Sequence, residues 1–217
     1  GFTLLWQAAG TINFAQGEFV MLPAFAMLIG MSYGLPLWAS FIVAVVLSIL
    51  VLGAAFKKWI VDPMRGTGVV AVVVATLGLS IGLKSFVKAA YSAEPHPFPS
   101  IFGDEVFKLV GVTISYSDVG ALVFAGLMVL GLQTFLNKTI TGRAMQAVAQ
   151  NTFSAEALGI NVKRMIFYTF AINAILVAVT ALLITPTYLA KFDMGDNIGL
   201  KAFFAAIIGG FNNSRGA

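Results

Sequence analysis

Asn13, Gln16 and Glu18 stand close together in the stretch TINFAQGEFVML, with apolar segments on both sides. Two carboxamides and a carboxylate offer donors, acceptors and one charge, but no nucleophile with a base beside it, so the chemistry on offer is recognition rather than bond making. Farther along, Thr76 and Ser80 in ATLGLSIG share one helix face, and Asn173 stands alone in a long apolar run. These six, Asn13, Gln16, Glu18, Thr76, Ser80 and Asn173, are the candidates for a polar path. Each also has a plain structural role. Glu18 can complement the positive end of the helix that follows Gly17, while Asn13 and Gln16 can satisfy opened backbone. Asn173 fits a helix-to-helix hydrogen bond, worth about 1 kcal/mol in a membrane. Gly78 and Gly82, on nearly the opposite face from Thr76 and Ser80, form a GxxxG pair that reads as a packing surface.

Other chemistries lack their residues. There are no cysteines, and His96 is the single histidine, with no clustered partner, so no metal site is expected and His96 reads as solvated. No G-x-x-x-x-G-K-[ST] phosphate loop is present. No catalytic residue and no cofactor are assigned.

The elements that hold these side chains must lie in lipid. Of 217 residues, 59% are hydrophobic and 10% charged, against about 25% charged in an ordinary soluble domain. The runs Phe19–Phe56, Val119–Asn137 and Met165–Ala190 carry no charge, and about 20 such residues cross a bilayer as a helix. They show none of the alternation of barrel strands. The reading is all-α, a polytopic integral membrane helical bundle with short or broken helices. Helices are expected at Gly1–Ile12, Glu18–Met31, Leu37–Ile60, Thr67–Ala90, Ser117–Asn137, Lys163–Leu189 and Ile198–Gly210, the first and last being short enough to be re-entrant, interfacial or truncated. One domain covers 1–217. Lacking an initial Met and ending at SRGA straight after an apolar run, the chain reads as a fragment without its terminal helices.

Basic residues set the orientation. Lys57, Lys58 and Arg65, then Lys138, Arg143, Lys163 and Arg164, place two connections inside. The alternate connections hold Glu94, Asp104, Glu105, Asp118, Asp193 and Asp196. Tyr33, Trp38, Tyr91, Tyr116 and Tyr188 then fall at outer ends and Trp59 and Tyr168 at inner ones, as interfacial belts require. This sets Asn13–Glu18 either near an inner helix end or at a break partway down. Val106–Leu109 and Val112–Ser115 can pair as a small extracytoplasmic hairpin. Lys84 and Lys88 are expected to snorkel to the headgroups. Apart from Glu18 and Lys201, no charge is expected inside the membrane.

The longer inner connection has the pattern of two short helices. One starts at Gly142 and sets Ala144, Met145, Val148 and Ala149 on one face, with Arg143, Gln146 and Gln150 elsewhere. The other runs from Ser154, as N-cap, to Leu158, with Gly159 as its stop. Its apolar face is small, which favours a groove on a partner protein over a lipid surface.

In that order, TINFAQGEFVML, ATLGLS, GRAMQAVAQNTFSAEALGINVKR and GLKAFFAAIIGG resemble the diagnostic stretches of permease subunits of the leucine/isoleucine/valine type of ABC importer, found in bacteria and archaea. The resemblance runs the length of the chain. It implies a multi-pass subunit of the plasma (inner) membrane that pairs with a homologous second permease, docks two cytoplasmic ABC ATPase subunits and receives solute from an extracytoplasmic substrate-binding protein. Membrane lipid is the remaining partner; nucleic acid is not one. It also implies that 142–164 is a coupling loop, with Gly142, Arg143, Ala155, Glu156, Ala157 and Gly159 as the ATPase-coupling residues, Ala155–Gly159 being a degenerate form of the EAA…G signature of such permeases. Three departures stand out: Gln16 where His is common, Pro23 where Gly is usual, and a polar end in GGFNNSRGA. Relatives of this type carry urea and short amides as well as amino acids, so a urea or amide permease is the alternative within the family. Outside it, the rivals are an ion-coupled secondary transporter, a passive channel and a membrane-embedded enzyme.

Overall fold

The computed structural model describes Thr3 and residues 13–64, 68–103, 105–109 and 112–210. The helix expected at Gly1–Ile12 and the polar end after Gly210 therefore lie outside the described residues, Thr3 excepted. Eight helices and one hairpin follow among them: α1 Glu18–Ser32, α2 Leu37–Ser48, α3 Val69–Ala90, β1 Val106–Leu109, β2 Val112–Ser115, α4 Tyr116–Lys138, α5 Ile140–Gln150, α6 Thr152–Ala157, α7 Val162–Tyr188 and α8 Met194–Gly209. A 3-10 turn, Phe14–Gln16, leads into α1, and α2 continues in a wider π-wound stretch, Ile49–Val61. Five of the helical segments are long and apolar enough to cross a bilayer: Phe14–Ser32, Leu37–Val61, Val70–Ala90, Tyr116–Lys138 and Val162–Tyr188. The chain is a multi-pass, helical membrane protein.

The turns follow local chemistry. At Gly34, φ is +85°, which only glycine adopts without strain. There the Gly34 N–H donates to the Met31 carbonyl and the Leu35 N–H to the Gly30 carbonyl, closing α1. Pro36 then starts α2, which folds back along α1. The two backbones come close at Gly30, where an added Cβ would stand 3.0 Å from the Ser40 Cβ. The hairpin pairs Val106 with Ser115 and Leu109 with Val112, at the residues the sequence pattern marks, and runs straight into α4. Asp118 in the first turn of α4 and Lys138 in its last both complement the helix dipole.

The core is built on α1, α2 and α7. Phe19 meets Phe56 edge to face at 5.0 Å between centroids, and Phe56 lies 5.9 Å from Phe170. In the π-wound part of α2, Gly53 faces the backbone of Ala171 on α7. Trp38 and Trp59 are exposed at opposite ends of the α2 span, as headgroup anchors are. Helices α3 and α4 are peripheral. Most of α3, including Val70, Val74, Ile81 and Phe86, and most of α4, including Leu122, Leu127 and Leu130, face away from the bundle.

Several expectations change. Gly78 and Gly82 have nothing within 4 Å of where a Cβ would stand; they point outward and pack on no described residue. His96 is only partly exposed. Its backbone exchanges two 2.9 Å hydrogen bonds with Ala190, and its ring stands 5.0 Å from Tyr91, which in turn meets Phe25. This tie fastens the outer loop to the turn between α7 and α8.

Candidate functional site

The helix that carries Glu18 begins inside the membrane. Asn13 is extended (φ −102°, ψ 104°) and its Oδ1 accepts from the Ala15 N–H at 3.0 Å, so it caps the 3-10 turn ahead of α1. Phe14 N–H donates to Thr76 Oγ1 on α3 at 3.2 Å. Ser80, on the same face of α3, donates to Glu18 Oε1 at 3.2 Å. On α7, Asn173 and Gln16 exchange two hydrogen bonds, 3.2 and 3.3 Å, through their carboxamides. At 1.5 Å per residue, Ser80 lies about 16 Å along an α3 of roughly 33 Å, and Asn173 about 16 Å along an α7 of roughly 40 Å. Of the two positions left open for Asn13–Glu18, the described residues favour the one partway down, level with the middle of α3 and α7; whatever precedes Asn13, apart from Thr3, lies outside the described residues. All six residues singled out for a path are buried and meet at this level.

Their bonds are nearly complete. Buried polar groups in hydrocarbon need partners, and the Gln16–Asn173 pair satisfies two of them reciprocally. Two atoms are left over, Asn13 Nδ2 and Glu18 Oε2, both buried without a hydrogen bond.

Glu18 belongs to a larger cluster. Lys84 Nζ is 2.8 Å from Asp196 Oδ1 and 3.7 Å from Glu18 Oε1, so one ammonium from α3 ties α1 to α8. Lys84 therefore turns inward instead of snorkelling to headgroups. The Glu18 carboxylate also lies against the first turn of α8, whose positive dipole end favours it. That approach requires glycine: a Cβ on Gly195 would collide with Glu18 Oε2 and stand 2.7 Å from the Gly17 carbonyl carbon, and one on Gly17 would stand 2.8 Å from Gly199 Cα. Gly195 and Gly199 are themselves a GxxxG pair, packed where Gly78 and Gly82 are not. Lys88, one turn beyond Lys84, stays exposed while its ammonium stands 5.3 Å from the Phe192 ring. Thr76, Ser80, Lys84 and Lys88 thus make a polar stripe, four residues apart, along the face of α3 that meets the other helices. Lys201, the other intramembrane charge considered, is exposed and donates to the Tyr188 hydroxyl at 3.1 Å.

The inner connection forms a second site. Helix α5 starts at Ile140 and not Gly142, because the Thr139 hydroxyl caps it by accepting from the Gly142 N–H at 2.9 Å. Gly142 instead lets α5 fold tightly against α4, where a Cβ would stand 2.6 Å from Leu136 Cα. Arg143 Nε donates to the Asn137 carbonyl at 3.1 Å, holding the same corner. The cap of α6 is Asn151, whose Oδ1 accepts from the expected cap, Ser154, at 2.9 Å. The helix closes at Gly159 (φ +80°), where Gly159 N–H donates to Glu156 and Ile160 N–H to Ala155. Ala155 is 2% exposed and belongs to the packed side, with Met145 and Val148. Glu156, Ala157 and Gly159 are exposed, and beside them Phe153 and Leu158 are 82% and 80% exposed.

Sequence reasoning missed Lys84 and Asp196 as partners of Glu18, the Gly17–Gly195–Gly199 contact, and the outward Phe153 and Leu158. A lysine well inside a predicted span and a second GxxxG at Gly195 were the available signals.

The whole chain, residues 1–217, matches the family described as branched-chain amino acid transport system / permease component. The high-affinity branched-chain amino acid transport system permease protein BraD of Pseudomonas aeruginosa is 30% identical over all of this chain and 75% of its own length. LivH of Escherichia coli, with the same description, is 28% identical over the same shares. The fructose import permease protein FruF of Bifidobacterium longum is 24% identical over 97% of this chain and 58% of its own length. No solved structure matches. By its match from end to end, and by its likeness to BraD, the chain belongs to the permease-component family of branched-chain amino acid transport systems.

Proposed function

We propose that this chain is the membrane subunit of an ATP-driven importer and forms the translocation path for branched-chain amino acids. The observation that carries the reading is the helix start at mid-depth, where Asn13, Gln16 and Glu18 meet Thr76, Ser80 and Asn173. A broken helix in the middle of a bilayer is where transporters gather the dipoles that handle polar solutes. The names of BraD and LivH supply the solute class. FruF, a fructose import permease protein by its description, supports a second reading, a sugar. A secondary transporter is less well supported: its coupling ion would need a charged site of its own, whereas Glu18, Lys84 and Asp196 are bound to one another.

ATP is bound elsewhere, by two ATPase subunits on the inner face, and a homologous permease completes the path. A substrate-binding protein delivers solute from outside. The segment 142–164 is the handle: Gly142 and Arg143 fix α5 to α4, Ala155 and Gly159 fix α6, and the surface offered to the ATPase is Phe153, Glu156, Ala157 and Leu158. Apolar side chains this exposed on a short rigid helix are the anchors of a helix-in-groove contact. Replacing Phe153 and Leu158 together by Ser should reduce copurification of the ATPases at least tenfold while the permease keeps its melting temperature. Full retention of the ATPases by a folded double variant would refute the docking claim.

A further inference from the structure

Leu127, Gly131 and Phe135 on α4 face Ile172 and Ile175 on α7 across a groove of about 310 Å³ that no polar side chain lines. Nothing stands within 4 Å of where a Cβ on Gly131 would be, and Leu127 and Ile175 are exposed, so the groove is open along its side. Both of its walls lead to a cation. Lys138 follows Leu127 by 11 positions and Ile175 follows Arg164 by 11, about three helical turns in each case, which returns the chain to the same helix face. The two helices run in opposite directions, so both cations fall at the end that the basic residues assign to the inner side. From Leu127 to Lys138, and from Ile175 to Arg164, the rise is about 16 Å, close to the roughly 15 Å of half a hydrocarbon core. The groove thus spans the inner leaflet and stops at its headgroups. There Arg164 Nε donates to the Tyr168 hydroxyl at 2.6 Å, and its guanidinium carbon stands 5.4 Å from the Tyr168 ring centroid, which holds the guanidinium on this face. Among the described residues, neither Lys138 nor Arg164 is ion-paired with a carboxylate.

We infer that this groove binds an anionic phospholipid of the inner leaflet, one acyl chain lying along Gly131 and the phosphate meeting Lys138 and Arg164. The chain fills a hollow that water does not enter at this depth, and whose walls otherwise lack contacts on one side. It does not select the lipid, because zwitterionic lipids carry the same chains. The cations select it: in a zwitterionic headgroup the attached ammonium offsets the phosphate that Lys138 and Arg164 attract, whereas an anionic headgroup keeps its net charge. An apolar helix from another subunit fits the hollow as well but leaves both cations without a counter-charge. Bound there, the lipid braces α4, most of which faces away from the bundle, against α7, just above the point where α4 passes into α5.

Native mass spectrometry of the full permease, purified with its accompanying subunits and titrated with dioleoylphosphatidylglycerol or dioleoylphosphatidylcholine, reads the selectivity. Phosphatidylglycerol should be held about tenfold more tightly than phosphatidylcholine. Lys138→Gln with Arg164→Gln should abolish that preference. Lys58→Gln, which removes an exposed cation at the inner end of the α2 span, should leave it intact. Gly131→Leu fills the groove without touching a charge. Its side chain enters open space, so the protein should keep its melting temperature while retention of phosphatidylglycerol falls about fivefold or more. Equal retention of the two lipids by the wild type overturns the proposal. So does a loss in Lys58→Gln equal to that in the double variant, which marks general surface charge. Unchanged retention in folded Gly131→Leu also overturns it, since a headgroup or a free phosphate held without its chain would not notice the filled groove. The chain has no cysteine, so Gly131→Cys provides a last check: a crosslink from it to another protein segment in the intact complex assigns the groove to a helix and not to lipid.

Discussion

The carboxamide pair Gln16–Asn173 has the simplest energetics of the buried contacts, because each side chain is the other's partner. Removing one leaves the other polar and buried, whereas removing both leaves apolar surface against apolar surface. Gln16→Leu or Asn173→Leu alone should lower stability by about 1–2 kcal/mol, and the double substitution should recover most of that loss. Unfolding of the purified protein in bicelles measures the cycle; a double variant that loses the full sum would mean the two amides do not act as a pair. Nothing in the sequence joined these residues. They are separated by 157 positions, and hydropathy reports only that each interrupts an apolar run. That six polar residues were worth singling out was legible; which of them touch was not, since that depends on how helices are arranged around one another.

At the scale of elements the membrane made most of the fold readable. A spanning helix needs a fixed length of apolar chain, so Leu37–Val61, Tyr116–Lys138 and Val162–Tyr188 come out within a residue or two of their expected bounds. Glycine pairs were not readable in the same way. Gly78/Gly82 and Gly195/Gly199 have the same spacing, but only the second meets another backbone. Gly195→Ala should therefore cost about 1–3 kcal/mol by overpacking against α1, seen as a lower melting temperature. Gly78→Ala should be neutral or stabilising by up to about 1 kcal/mol, as alanine is the better helix former. Equal effects at the two sites would contradict the packing described. The cap of α6 shows a similar ambiguity. Asn151 and Ser154 are both good cap residues three apart, and the extended backbone at Asn151 (φ −155°, ψ 104°) decides between them.

Across the whole molecule, the described helices divide into a packed group, α1, α2 and α7, and a peripheral α3 whose inward face is a line of hydroxyls and ammoniums. An α-helix returns nearly the same face every four residues. Moved inward by one turn, about 6 Å with roughly 40° of rotation, α3 would set Ser80 beneath the Phe14 N–H, Lys84 on Glu18 and Lys88 on Asp196. Each acceptor would again meet a donor from α3, with the Lys84 ammonium taking the place of the Ser80 hydroxyl on Glu18, so a second stopping place would leave no acceptor bare, a piston with teeth cut by sequence spacing. Oxidising a Lys88→Cys, Asp196→Cys double variant during ATP turnover should join the two thiols. If they stay separate while Lys84→Cys and Asp196→Cys join readily, the piston has a single position.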